Sequence, residues 1–170
     1  MLLRILAVCA VTACASNAGN EGPGGDDEPA DLAVIASQPA HGTVAGKTFM
    51  LGTRHMHISD GELWVNLLTD PVADCTKDQT AGSYPLVIFF TRTTPGRYPL
   101  SFETQTVTLV DRSSNNLIVT SGVIQIDAIT DTQVTGGLHV FSAEFGEING
   151  RFDGRLCYTR QAASAARTKL

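Results

Sequence analysis

The chain has 170 residues, of which 43% are hydrophobic and only 17% charged, where about a quarter charged is ordinary for a globular protein. That is apolar material for one domain with a real core, and it excludes disorder throughout. The net charge of −5 is unevenly spread: Glu21, Asp26, Asp27, Glu28 and Asp31 share a segment without a base, while residues 32–170 hold 11 bases against 12 acids. A folded part so close to neutral offers no basic face to a phosphate backbone, and nucleic acid is not expected as a partner.

The first element is a short apolar run. Met1 to Arg4 carries one positive charge, a nine-residue run from Ile5 to Ala13 that is apolar except for Thr12 follows, and small residues close it. This is the layout of a secretory signal peptide over residues 1–13, too short to span a bilayer as a permanent helix. Val11-Thr12-Ala13-Cys14 resembles the lipobox of bacterial lipoproteins, in which an aliphatic residue and two small ones precede a Cys. The resemblance implies that Cys14 is lipidated and becomes the first residue of the mature chain, with Cys9 lost in the signal. It also implies an outer-membrane address, because Ala15 stands where an Asp would mark retention in the inner membrane. Which face of that membrane is left open.

Residues 14–40 follow as a tether. Ala15 to Ala30 is small, acidic, and rich in Gly and Pro with no apolar period, so it cannot bury enough surface to offset ordering. At about 5–6 Å times the square root of its length, it spans roughly 20–30 Å. A lipid anchor needs such a spacer, and several acyl chains at about 0.8 kcal/mol per buried methylene hold a protein firmly.

Once the signal is removed and Cys14 is lipidated, Cys75 and Cys157 are the thiols that remain. In an export compartment thiols oxidise, and two cysteines permit one intramolecular pairing, so a Cys75–Cys157 disulfide is expected. Closing 82 positions restricts the unfolded chain by roughly 4–5 kcal/mol in the loop-entropy relation.

The domain itself, residues 41–160, reads as strands. The chain has 41 Val, Ile and Thr residues and 16 Gly, a composition that favours sheet. Val44–Leu51 reads as one strand, continued after Gly52 by His55–Ile58. Ser59-Asp60-Gly61 is a turn, and Leu63, Val65 and Leu67 alternate with Trp64, Asn66 and Leu68 until Pro71. Residues 71–83 form a polar loop bearing Cys75. Leu86–Phe90 is a continuous apolar run, the pattern of a strand covered on both faces. Thr94-Pro95-Gly96-Arg97 turns the chain into Tyr98–Phe102. Thr106–Val110, Leu117–Thr120 and Val123–Ile129 follow, the last with Ile124 and Ile126 on one face and Gln125 and Asp127 on the other.

Val134–Phe145 comes next, and Gly146-Glu147 turns into Ile148–Tyr158. There Ile148, Gly150, Phe152, Gly154 and Leu156 share one face and Asn149, Arg151, Asp153 and Arg155 the other, which is half-buried alternation. Cys157 then falls on the solvent side. Eight to ten short strands without a helical period predict an all-β fold, an antiparallel β-sandwich or small barrel. Residues 161–170 read as a disordered tail.

The opening Gly-x-Val-x-Gly strand, the Gly-Arg-Tyr turn, Gly-Val-Ile-Gln-Ile, Val-Thr-Gly-Gly-Leu and the closing Ile-Asn-Gly-Arg-Phe-Asp-Gly-Arg-Leu-Cys resemble uncharacterised all-β lipoproteins of Gram-negative bacteria, including those of myxobacteria. The resemblance covers about residues 41–158 and brings no catalytic residue with it.

Candidate chemistry is sparse. His55 and His57 lie two apart on a strand and so point the same way, toward one metal if His41, His139 or an Asp joined them. A polar stripe beside Met56 and Ile58 is the plainer reading, and no metal or other cofactor is expected. Asp70, Asp74 and Asp78 lack the oxygen density and the Gly of a calcium loop. Trp64, Tyr84, Tyr98 and Phe90 are candidates for an aromatic patch, but with 11 aromatics in all the core has first claim on them. No nucleophile elbow, phosphate loop or zinc-protease motif is present. The expectation is a non-catalytic binding or envelope-structural module, held to the membrane by its lipid and meeting an envelope protein or a glycan. The alternatives are a lipocalin-like barrel carrying a small apolar ligand, and a surface hydrolase whose carboxylates meet only in the fold.

Overall fold

Eleven strands make up the computed structural model, which describes residues 33–71, 73, 75 and 84–160. The expected signal peptide, Cys14, the expected tether up to residue 32, most of the expected 71–83 loop and the expected tail 161–170 lie outside the described residues. No helix occurs among those described. The strands are β1 His41–Val44, β2 Lys47–Met50, β3 Thr53–Ser59, β4 Glu62–Leu68, β5 Leu86–Arg92, β6 Gly96–Pro99, β7 Val107–Val110, β8 Asn116–Val119, β9 Gly122–Ile129, β10 Gln133–Ser142 and β11 Gly146–Arg160. They form a single sheet in the order β6-β9-β10-β11-β3-β4-β5-β7-β8, with the β1–β2 hairpin added on β11. The sheet curls into a half-barrel around one core.

β11 joins the two halves. Its residues Gly146–Arg155 pair with β10, and Leu156–Arg160 pair with β3. The β11–β3 pair is parallel, in a sheet whose other strand pairs are antiparallel as expected. The cause lies in the hairpin. β1 runs antiparallel to β11 and β2 antiparallel to β1, so β2 runs with β11. The chain keeps that sense through Gly52 and takes the edge of β11 beyond β1. Gly52 is required there, because a Cβ would meet the carbonyl oxygen of Thr69 at 2.4 Å.

The hairpin corrects a second expectation. Val44–Leu51 is two strands rather than one, because Ala45 and Gly46 take φ of 47° and 72° and reverse the chain, the backbone of a two-residue hairpin turn. Ala is seldom the first residue of such a turn, so the sequence carried no signal for it. Likewise Tyr98–Phe102 shortens to β6, which ends at Pro99. A turn between Ser101 and Gln105 leaves Phe102 80% exposed.

The inward faces follow the alternation. Ile148, Gly150, Phe152, Gly154 and Leu156 of β11, Leu63, Val65 and Leu67 of β4, and Ile124 and Ile126 of β9 are all buried. Phe89 of β5 and Phe152 of β11 meet across the interior at 5.9 Å between ring centroids. Phe49, Met56 and Leu138 fill the space around them without exposure. Leu86–Phe90 is covered on both faces only at its start: Leu86 is buried, while Phe90 stands on the outer face 41% exposed.

The incoming chain is part of the fold from Ala33, within the stretch read as tether. The Arg97 guanidinium donates to the Ala33 carbonyl. Asn149 accepts from the Ala36 N–H at 2.8 Å and donates to the Val34 carbonyl at 3.1 Å. Arg151 and Ala40 then exchange main-chain bonds with this segment, Arg151 N–H to Gln38 O and Ala40 N–H to Arg151 O. Residues 33–38 therefore lie across the outer face of β9, β10 and β11.

Candidate functional site

The outer face of β11, β3, β4 and β5 carries a row of rings. Strand alternation sends Met56 into the core and His55 and His57 outward, and the register does the rest. Tyr158 pairs with His57, His57 with Trp64, and Trp64 with Phe90. One side chain from each of four strands thus falls on a single line.

Tyr158 belongs to that line because of a bulge. Leu156 pairs with Met56 and Tyr158 with His57, so two steps along β11 match one along β3 and Cys157 is the extra residue. A regular strand would have pointed Tyr158 inward with Leu156; the extra residue turns it out, a known use of bulges. Cys157 is joined to Cys75 with Cα atoms 5.1 Å apart, as expected, which ties the β4–β5 connection to the bulge.

The rings stack on each other. Tyr158 and His57 lie 4.6 Å apart and 18° from parallel, His57 and Trp64 6.1 Å and 8°, Trp64 and Phe90 5.3 Å and 33°. His55, one row along, stands 5.6 Å from His57 and 6.2 Å from Tyr158. Tyr158 and Phe90, at the ends, are 45% and 41% exposed, Trp64 and His57 are half-buried, and His55 is 8% exposed. Its Nδ1 is buried and has no hydrogen-bond partner among the described residues. Beside the ring row the same face runs His55, Asn66, Ile88, Thr108 and Ile118, with Ile118 52% exposed. Leu68, Leu86 and Val110 form a third line and are buried.

The structure sorts the aromatic candidates. Trp64 and Phe90 come together, while Tyr98 turns to Thr94 through its hydroxyl and has the Arg92 guanidinium 5.9 Å above its ring. Tyr84 accepts from the Ser114 hydroxyl elsewhere. Sequence reading missed Tyr158 and did not connect His57 to Trp64. Alternation places each residue on a face, but only the register and the bulge place them in one row.

The other histidines do not join. His41 contacts the Pro39 carbonyl at 3.0 Å, and His139 pairs with Glu147 at 2.9 Å on the outer face of β10 and β11. No group of three or more His, Cys, Asp or Glu able to hold a metal occurs among the described residues. Asp70 uses its carbonyl to accept from the Thr53 hydroxyl, and Asp74 and Asp78 lie outside the described residues.

The outer face of β9–β11 is polar. Arg151 donates to Asp127 at 2.8 Å and Gln125 donates to the same carboxylate at 2.6 Å. In the β7–β8 turn the N–H of Asn115, its side-chain amide and the N–H of Ser113 all donate to Asp111. These bonds, that of the Asn115 N–H foremost, hold its carboxyl below the ordinary 3.8. A surface groove of about 470 Å³ opens between Ile118 and Val119 of β8 and the Phe141–Glu147 turn.

Compared with known proteins, the chain matches no family model, no curated protein and no solved structure.

Proposed function

We propose that this chain is a membrane-anchored bacterial lipoprotein whose β-domain is a non-catalytic binding or envelope-structural module. Cys14 carries the lipid, and the acidic Gly- and Pro-rich stretch links it to the domain. The observation that carries the reading is the way the chain joins the fold. Arg97 and Asn149 hold Ala33–Ala36 on the outer face of β9–β11, and the ring row occupies the outer face of the other half of the sheet, across the core. A domain fixed at that side offers the ring row away from its anchored end, toward an envelope protein or a glycan.

Two further features support the reading, the first against a carrier and the second for the compartment. The interior is occupied by Phe49, Phe89, Phe152, Met56 and Leu138, and the disulfide fits an oxidising compartment. The test is the intact mass of the protein extracted from bacterial membranes, before and after reduction. The reading expects a chain that begins at Cys14 with added acyl mass and gains two hydrogens on reduction. Cys14→Ser should release the protein from the membrane fraction. A mature chain cut elsewhere and without lipid refutes the anchor.

A further inference from the structure

We propose that His55 and His57 together bind a borderline divalent transition metal such as Cu2+, Ni2+ or Zn2+, as a two-histidine site on the outer face of β3. Two imidazoles chelate one ion only if their rings approach closely enough. A metal–nitrogen bond of about 2.0–2.1 Å puts each ring centroid about 3.2 Å from the metal, so two rings at a tetrahedral angle stand about 5.2 Å apart and can never exceed about 6.4 Å. The observed 5.6 Å lies inside that window.

Chemistry and burial agree with this distance. His55 is more than nine-tenths buried, and its Nδ1 has no hydrogen-bond partner among the described residues, although buried polar atoms ordinarily find one. A metal ion satisfies such a nitrogen. His57 is clamped between Tyr158 and Trp64, so its ring is already ordered and loses little freedom on binding. Imidazole suits these borderline ions over Mg2+ or Ca2+, which prefer oxygen. No third His, Cys, Asp or Glu joins the pair among the described residues, and water or a donor atom of another molecule would complete the coordination. This inference does not depend on the lipid anchor.

Trp64 is the chain's one tryptophan, and it stacks on His57, so it reports on the site directly. The full chain, disulfide intact and stripped of metal, is titrated with Cu2+ while indole emission is followed. The site requires saturable quenching at one equivalent, reversal by excess EDTA, and at least a tenfold weaker half-point in His57→Gln, with His139→Gln unchanged. His57→Gln titrating like the parent, or quenching that never saturates, overturns the proposal. Because His55 is buried and its replacement can disturb folding, the second measurement uses the parent protein. Zn2+ must shift the ring-nitrogen resonances of His55 and His57 by NMR ahead of those of His41 and His139; the reverse order also overturns it.

Discussion

Phe152 is where the two halves of the curled sheet are held together, and its removal is the most direct test of the fold. It lies on the inward face of β11, 2% exposed, with its ring 5.9 Å from that of Phe89 on β5. Gly136 of β10 leaves the socket for it, since a Cβ there would meet the ring at 2.8 Å. Phe152→Ala removes a fully buried aromatic and leaves a cavity in a rigid setting, which costs about 3–5 kcal/mol. With a urea slope of about 2 kcal/mol/M, the unfolding midpoint should fall by roughly 1.5–2.5 M with the slope unchanged. Trp64 fluorescence is a suitable probe, because the indole stands on the opposite face of the sheet from this core. The ring–ring contribution is isolated by Phe89→Leu, Phe152→Leu and the double variant, whose coupling should be about 0.5–1.5 kcal/mol. A loss below about 1 kcal/mol for Phe152→Ala, or no coupling in the cycle, refutes the view that this pair closes the half-barrel.

Other consequences can be checked in the same protein. Cys157→Ser should destabilise by up to about 4.5 kcal/mol, the loop-entropy value for a separation of 82 positions, and reductant should then leave its thermal midpoint unmoved while lowering that of the parent. Gly150→Ala places a Cβ 2.7 Å from Ala40 Cα and Gln38 O at a φ of 141°, and should cost more than the roughly 1–3 kcal/mol of backbone strain alone. Gly46→Ala, with φ of 72° and open space around it, should cost only that strain; equal urea midpoints for the two would contradict the packing of Gln38–Ala40 on β11. Asp111, whose folded pKa is depressed, contributes stability that is present above its unfolded value near 4 and lost as pH falls through the folded one. Asp111→Asn should therefore show a shallower loss of urea midpoint below pH 4 than the parent, and identical slopes would remove the assignment.

Much of the fold was legible because period-two alternation is a local property. Leu63, Val65 and Leu67, or Ile148 to Leu156, needed no partner to declare a face, and the turn at Asp60–Gly61 appears with φ of 55° and 87° where Asp-Gly demanded it. The pairing partners were not legible. The parallel contact of β11 with β3 depends on a hairpin hidden behind Ala45, and the position of Ala33–Ala36 depends on Arg97 and Asn149, residues 64 and 113 positions away from their partners Ala33 and Ala36. The ring row failed for the same reason. His-x-His announced that two imidazoles share a face, but Tyr158 joins them only through the bulge at Cys157, and in a regular strand it would point inward. Tyr84 and Tyr98, grouped with Trp64 by residue type alone, belong to other parts of the surface.

The two outer faces are maintained differently, and the difference bears on why histidine stands in the ring row. On β9–β11 polar groups pair among themselves: Arg151 with Asp127 as an ion pair, and the His139 ring with the Glu147 carboxylate at hydrogen-bond distance. Such surface pairs are worth about 0–1 kcal/mol each, and the same face seats the incoming chain through Arg97 and Asn149. On β11–β3–β4–β5 the rings stabilise each other, at about 0.5–1.5 kcal/mol per stacked pair. If stacking were the whole purpose, a phenyl ring at position 57 would serve as well as an imidazole between Tyr158 and Trp64, and bury more apolar surface. His57→Phe separates the two demands. The stack should survive, with a urea midpoint equal to or above the parent's, while quenching of Trp64 by Cu2+ is lost. A variant that loses both properties together would show that the imidazole holds the row itself, and the nitrogen would then need no metal to account for it.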